Sequence, residues 1–385
     1  MEGVSLKKPD WIRARIPSGD TWKEVSAVLE RERLHTVCNE ARCPNKGECW
    51  GSGTATFMIL GDICTRSCRF CAVTSRREGR PVDAGEGERI ALAALELGLR
   101  YVALTSVDRD DLPDRGASHF AACIAALKAR LPGVRTEVLI PDYRAVELAP
   151  ILAAGPDVAA HNLETVRSLQ PVRDARASFD TSLATLRALK VGAGVLRTKS
   201  SLMLGLGETQ DEVWAAMDEL RAVGVDILVL GQYLRPSAAQ TPVREYISPE
   251  QFDRYAEAAR ERGFASVVAA PLARTSYHAE AAFEGGAARI SLSGTGKPAG
   301  CKLIRFEARL EGAIIRELHI RGDFFASPGE AFDRLGSLLA GTPLFDLAAS
   351  FDRLLEREGI EVAGISGEGL ASLVRAAIQS QEPRP

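Results

Sequence analysis

The sequence predicts an α/β fold, a partial (β/α)6 TIM-like barrel with an N-terminal arm before it and a small C-terminal α+β domain after it. Three observations lead there. Short apolar runs alternate with longer segments of helical period from about residue 55 to residue 270, the pattern of parallel βαβ units. These units lack a dinucleotide-type glycine fingerprint, which favours a barrel, or part of one, over a Rossmann sheet. At roughly 150 residues per domain, 385 residues hold two domains, and the alternation stops well before the C-terminus.

In chain order, residues 21–33 carry Trp22, Val25, Val28 and Leu29 on one helical face and charges on the other, an amphipathic helix docked ahead of the barrel. The expected strands are residues 55–60, 101–105, 135–140, 158–161, 196–204, 226–230 and a last one near 266–270. Helices are expected between them at 86–97, 117–131, 143–153, 181–190, 211–223 and 249–262. Gly205-Leu206-Gly207 follows a strand without a third glycine at the required offset and reads as a tight turn. Beyond residue 285, runs 302–310 and 314–320 joined through Glu311-Gly312-Ala313 read as a hairpin. Helical patterns follow at 329–339, 344–358 and 367–377. The domain limits are therefore 1–53, 54–284 and 285–385.

Hydrophobic residues at 46% and charged residues at 26% are enough to bury a core and exclude disorder for the bulk of the chain. Forty-eight Lys and Arg against 51 Asp and Glu give a net charge of −3, with no basic excess to grip nucleic acid. The longest apolar runs, such as 90–95 and 227–230, fall far short of the roughly 20 residues a spanning helix needs. Residues 1–17 have no apolar stretch like that of a secretory signal. The expectation is a cytoplasmic chain with neither nucleic acid nor membrane as partner.

Cysteines carry the most information. Six of the eight form two triplets, Cys38-x4-Cys43-x5-Cys49 and Cys64-x3-Cys68-x2-Cys71. In a reducing compartment clustered thiols bind metal or do redox work rather than form disulfides. Structural zinc favours Cys-x2-Cys pairs that close a four-ligand set, and neither triplet has that form. Three thiolates on an iron–sulfur cube leave one iron open for a substrate, a cofactor or an unusual protein ligand. Cys123 lies in an apolar helical pattern and Cys301 in a loop; both read as structural.

A barrel gathers its active groups at the carboxyl ends of its strands. Gly61-Asp62-Ile63 and the second triplet follow the first strand, and Thr105-Ser106-Val107-Asp108-Arg109-Asp110-Asp111 follows the second. His161, Asn162 and Glu164 follow the fourth, and Lys199, Ser200, Gln232 and Arg235 the fifth and sixth. Each has a structural alternative: Asp110 and Asp111 as helix caps, Glu164 as a solvated acid, His161 as a satisfied structural histidine. Their recurrence at one rim favours a site.

Taken together, Cys64-x3-Cys68-x2-Cys71 after the first strand of a partial barrel resembles the radical S-adenosylmethionine superfamily. The stretch from Cys38 to Trp50 is similar to the auxiliary-cluster motif of the lipoyl synthase family, as are residues 105–111, 161–166, 199–209, 231–237 and 274–279. The resemblance spans roughly residues 8–284. It implies two [4Fe-4S] clusters: Cys64, Cys68 and Cys71 hold one whose open iron binds S-adenosylmethionine, and Cys38, Cys43 and Cys49 hold a second. The family closes that second cluster with a serine of an Arg-Ser-Ser-Tyr segment. Here the segment reads Arg274-Thr275-Ser276-Tyr277, departing at its second position, and Ser276 keeps the matching hydroxyl. The alternative for Ser276 is a cap on a helix beginning at Tyr277.

The implied activity is radical-mediated insertion of two sulfur atoms, at carbons 6 and 8 of a protein-bound octanoyl-lysine, to give lipoyl-lysine, with the second cluster supplying the sulfur. Thr105, Ser106, Asn162 and Glu164 are the candidate contacts of S-adenosylmethionine, and Lys199 and Arg235 those of its carboxylate or of the incoming peptide. The implied partners are an octanoylated lipoyl carrier domain, of a 2-oxoacid dehydrogenase E2 or the glycine cleavage H protein, an electron donor such as ferredoxin or flavodoxin, and a cluster-repair protein. Competing readings are a methylthiotransferase-like radical enzyme and a non-catalytic iron–sulfur protein that binds the carrier. Residues 296–303 with Gly322-Asp323-Phe324-Phe325 resemble the accessory domain of lipoate–protein ligases, except that Cys301 stands where those domains tend to have glycine.

Overall fold

Thr56, Phe57, Met58 and Ile59 are all buried and form strand β1 (Thr56–Ile59), the edge of a seven-stranded parallel sheet. The structure is a computed structural model that describes residues 6–12, 20–51, 56–193, 197–277, 279–284, 289–311, 314–342 and 347–381. It divides into two compact units, Met1–Phe283 and Glu284–Pro385.

In the first unit, helices α1 (Asp20–Arg31), α2 (Val37–Glu40) and α3 (Lys46–Gly51) precede β1. Val25, Val28 and Leu29 of α1 are buried, as the amphipathic pattern predicts, and Trp22 meets Trp50 with ring centroids 6.0 Å apart. A short parallel pair follows, β2 (Ile63–Cys64) with β3 (Thr74–Ser75), bracketing the second cysteine triplet. The alternation then runs α4 (Glu86–Glu96), β4 (Tyr101–Ser106), α5 (Ala117–Arg130), β5 (Arg135–Leu139), α6 (Ala145–Ala154), β6 (Val158–Ala160), α7 (Phe179–Ala193), β7 (Arg197–Leu204), α8 (Gln210–Ala222), β8 (Ile227–Gln232), α9 (Pro249–Glu261) and β9 (Ser266–Ala270). The order β1-β4-β5-β6-β7-β8-β9 follows the chain, so each strand lies beside its predecessor and the helices pack outside: six βα units and a seventh strand. Two residues show how local chemistry starts and stops these elements. Thr209 caps α8 by accepting a hydrogen bond from Glu212 N. Gly205 turns the chain after β7 at φ 96°, where an added Cβ would lie 2.2 Å from Gln232 Nε2.

Helix α10 (Ala279–Glu284) closes the amino ends of the strands: Ala282 packs on Val158 and Ile227, the first residues of β6 and β8, and the Phe283 ring sits between the guanidinium groups of Arg135 and Arg197. The carboxyl ends are left for the site.

The second unit carries three strands more than the sequence predicts. The expected hairpin is present as β11 (Ile304–Glu311) and β12 (Ile314–Gly322), but β10 (Arg289–Gly296) joins it in a three-stranded antiparallel sheet. A small pair, β13 (Phe325–Ser327) with β14 (Glu361–Ala363), is also unforeseen. Helices α11 (Gly329–Leu338), α12 (Leu347–Arg357) and α13 (Gly367–Gln381) cover one face of the larger sheet around Phe306, Leu318, Phe332 and Phe351. The expected joint at Gly312-Ala313, the helical start expected at 344–346 and residues 1–5 and 13–17 lie outside the described residues.

Candidate active site

The Cys64–Cys71 loop leaves β1 and is tied down on every side. Thr65 N donates to Asp108 O at 2.9 Å, and Thr65 Oγ1 to Asp110 Oδ2 at 3.0 Å. Arg66, almost wholly buried, forks onto Asp110 with two bonds of 2.9 Å and reaches Asp142 at 2.8 Å. Asp174 accepts from Ser67 N at 2.9 Å and is itself held by Arg176, while its own N donates to Cys68 Sγ at 3.3 Å. Gln240 Nε2 donates to Cys71 O at 3.2 Å. Burial tends to raise the Asp110 carboxyl, but the bonds from Arg66 and Thr65 win and hold it at about 2. The hydrogen bonds of Arg176 likewise hold Asp174 below the usual carboxylate range. Asp110 therefore anchors the loop rather than capping a helix.

The first triplet lies in one stretch, residues 38–49, and is braced by a distant one. Thr36 caps α2, which carries the buried Cys38. Asn45 Nδ2 donates to Leu272 O at 2.6 Å, and Tyr277 Oη donates to Glu48 at 2.8 Å, so the helix turn bearing Cys49 is stitched to the segment after β9. That segment presents Ser276, whose hydroxyl makes no hydrogen bond among the described residues; the next helix begins at Ala279, so Ser276 caps nothing at Tyr277. Thr275 Oγ1 and the Asn162 amide exchange hydrogen bonds of 3.0 and 3.2 Å, joining the end of β6 to the same segment.

All six cysteines of the triplets, Ser276, Thr105, Ser106, Asn162 and Glu164 line one cavity of about 380 Å³. Its chemistry fits iron–sulfur clusters and a charged cofactor. The donors are soft sulfurs in two groups of three. Two buried polar oxygens facing this region make no hydrogen bond among the described residues: Ser106 Oγ, and Asp108 Oδ1, which lies 3.4 Å from Arg66 Nε. The Trp50 indole lies against Cys38 and favours its thiolate. Burial pushes the Cys64 and Cys68 thiols up to about 12, and raises Cys38, Cys43 and Cys71, so without metal these groups are neutral and metal binding releases their protons. Burial also raises Glu164, which stands at φ 68°, and lowers the Arg274 guanidinium beside Cys43.

Not every expected rim residue arrives. Lys199 is fully buried inside the barrel, with Nζ 2.9 and 3.0 Å from the Glu137 carboxylate, and does not line the cavity. It lies early in β7, and a β-strand residue there points into the barrel below the rim. Arg235 donates to the carbonyls of Gln240 and Ala238 and is likewise absent from the cavity wall. His161 does line the cavity, its ring held by Ile140 O and Ser182 Oγ. Unforeseen members are Arg173 and Asp142, which line the cavity beside Arg274 of the expected segment, and Arg176, which braces the loop. Their charges offered a signal, but no spacing marked them.

A parallel partial barrel with Cys-x3-Cys-x2-Cys in the loop after its first strand defines a radical S-adenosylmethionine enzyme, and residues 58–220 match the family model of the Radical SAM superfamily. Residues 1–43 match the N-terminal domain of lipoyl synthase of the Radical SAM family. A lipoyl synthase of Thermus thermophilus is 56% identical over 288 residues, covering 73% of this chain and 88% of the relative. One of Methanocella arvoryzae is 51% identical over 282 residues, covering 72% and 95%. The chain belongs to the lipoyl synthase family. It is a radical sulfurtransferase that uses [4Fe-4S] clusters and S-adenosylmethionine to convert octanoyl-lysine to lipoyl-lysine. Among solved structures, a chain described with an archaeal lipoylation system, a bi-partite lipoate protein ligase and its E2 lipoyl domain from Thermoplasma acidophilum, aligns at 26% identity. It covers 23% of this chain and 97% of that one, with a TM-score of 0.21.

Proposed function

We propose that one cavity serves both halves of the reaction, with Cys64, Cys68 and Cys71 binding the cluster that takes up S-adenosylmethionine and Cys38, Cys43, Cys49 and Ser276 binding the second. The observation that carries this reading is that all seven side chains line one cavity although they come from three separate stretches of chain. When bound, these groups supply the radical that breaks an unactivated carbon–hydrogen bond and the sulfur that replaces the hydrogen, which no side-chain acid or base can do. The protein's own part is to position and to exclude. Arg66, Asp110, Asp174 and Arg176 fix the cysteine loop from behind. Thr105, Ser106, Asn162 and Glu164 are our candidates for the ribose and methionine contacts. The hydroxyl of Ser276 is a hard, weak ligand for iron and can leave when sulfur is given up.

The substrate is an octanoyl chain on a lipoyl carrier domain. We assign the carrier to a 2-oxoacid dehydrogenase E2 or the glycine cleavage H protein, the reductant to ferredoxin or flavodoxin, and renewal of the second cluster to a cluster-repair protein. We further assign residues 1–53 to the arm, 54–284 to the barrel and 285–385 to carrier capture. The last rests on the likeness of the sequence to ligase accessory domains and on the raised local concentration a tethered module gives.

Anaerobic reconstitution followed by mass spectrometry of an octanoylated carrier peptide tests the site. Changing either triplet to alanine is expected to remove about half the iron and sulfide, since each triplet carries one cube. Loss of Cys64, Cys68 and Cys71 abolishes cofactor cleavage, whereas loss of Cys38, Cys43 and Cys49 spares cleavage and abolishes lipoyl formation. Equal loss of cleavage in both, or zinc in place of iron, rejects the assignment.

A further inference from the structure

Thr56 and Met58 of β1 line the cavity, and the two-residue period of a strand directs the side chain of Leu60 the same way. It does not go there. Leu60 stands at φ 67°, in the left-handed region that a leucine enters only against a steric penalty, and Gly61 follows at φ 85°. The turn carries the Leu60 side chain onto the start of α5, so closely that a Cβ on Gly116 would lie 2.4 Å from Leu60 Cδ1. Leu60 is 3% exposed, packs in the core and is absent from the cavity wall.

Side chains hold this conformation. Beyond the last sheet pair, Ile59 with Ser106, Leu60 N donates to Glu86 Oε2 at 2.9 Å in a buried bond. His119 Nε2, on α5, lies 2.7 Å from the same oxygen and donates to it, which fixes the carboxylate from the far side. The Leu60 carbonyl in turn accepts from Arg109 Nη1 at 3.4 Å. Glu86 is the first residue of α4, is 6% exposed and does not line the cavity. Its grip on Leu60 is therefore its route to the site.

We infer that Glu86, backed by His119, is a positioning residue of the radical site: it holds Leu60 in a strained turn that keeps an apolar side chain out of the cavity and sets the course of the chain into Cys64. The inference rests on Cys64, Cys68 and Cys71 holding the cluster that takes up S-adenosylmethionine. Strain is what makes the grip necessary. Without its acceptor the leucine relaxes toward the extended backbone of a strand, its side chain swings to the cavity face, and the start of the cysteine loop moves with it. A glycine at this position has neither the preference nor a side chain to swing. Glu86 lies 26 positions from Leu60 and, in the sequence, has the form of an ordinary first-turn acid of a helix.

The test is cleavage of S-adenosylmethionine by the anaerobically reconstituted full chain with dithionite as reductant, expressed per bound iron and read beside denaturant unfolding. Glu86→Leu is expected to slow cleavage about tenfold or more, since a buried donor loses its acceptor and the turn is released. Adding Leu60→Gly to that variant should bring cleavage back to within about threefold of the wild type, while stability falls further because a buried side chain is deleted. Rate and stability moving in opposite directions is the signature; a role in stability alone has the second substitution worsen both. Glu86→Gln keeps an oxygen for Leu60 N and should cleave within about threefold of the wild type. Wild-type cleavage by Glu86→Leu, or no gain from adding Leu60→Gly, overturns the inference. If Glu86→Leu takes up no iron, Leu60→Gly must restore loading in that background, and failure to do so overturns it too. A wild-type chain that takes up iron yet leaves S-adenosylmethionine intact would instead reject the assignment of the Cys64–Cys71 loop.

Discussion

The two cysteine triplets share a cavity but are held in it by different means. Cys64, Cys68 and Cys71 sit on one continuous loop backed by a network of buried charge, in which Arg66 alone meets Asp108, Asp110 and Asp142 at 3.4, 2.9 and 2.8 Å. Cys38 and Cys49 sit on short helices with Cys43 in the turn between them, and the residue proposed to complete their set lies more than two hundred positions away, on a segment joined to them by single hydrogen bonds from Asn45 and Tyr277. The first arrangement resists any change of shape, which suits a site used again at every turnover. The second is assembled from parts, which suits a site that gives up an atom.

The sharpest way to break the comparison is Arg66→Met. It leaves three carboxylates without their buried partner, and removing one member of such a set costs about 3–5 kcal/mol. Denaturant unfolding should report that loss together with loss of iron from the Cys64–Cys71 loop; unchanged stability would mean that the network is ornamental. Next in size are the changes at Ser276. Ser276→Ala should spare cofactor cleavage and lower lipoyl yield by about tenfold, the lower end of what lost metal-site contacts cost. Ser276→Cys should hold iron more firmly and also fail in product formation, because thiolate is the better ligand. Full yield from both variants would detach Ser276 from the chemistry.

A pH series sharpens the contrast more gently. Asp110 is held at about 2 in the folded chain, below the ordinary value of about 3.9. Its carboxylate therefore contributes stability above about pH 4, and that contribution is lost as pH falls toward 2. In the cluster-free chain Asp110→Asn should flatten the acid limb of the stability profile, and a limb of unchanged slope would refute the pairing. The smallest effect belongs to Tyr277→Phe, which deletes one hydrogen bond worth about 1 kcal/mol. It should loosen iron at the first triplet while leaving cofactor cleavage at the wild-type rate; an effect on cleavage would show that the two sites are mechanically one.

The barrel was legible because hydrophobic period and strand length are local properties, and the cysteines because ligand spacing is. What escaped was non-local. Asp110 and Asp174 pair with residues 44 and 107 positions away, and a single sequence presents them as ordinary surface acids. Lys199 was misread for the converse reason: a cation near a strand end resembles a rim group until Glu137, on another strand, is seen to neutralise it. Strand β10 was missed because its Ser-Gly-Thr-Gly ending opposes strand propensity, and pairing with β11 overrides that preference.

The sheet never closes on itself, since β1 and β9 are its two edges. Thr36 bridges to Phe57 on β1, and the segment after β9 carries Leu272, Ser276 and Tyr277. The first triplet therefore straddles the seam of an unfinished cylinder. An eighth strand there would have fastened the seam with a ladder of backbone bonds worth about 1 kcal/mol each. Side-chain stitches fasten it instead, so this flank can be unpicked and resewn while the seven strands behind it stay intact.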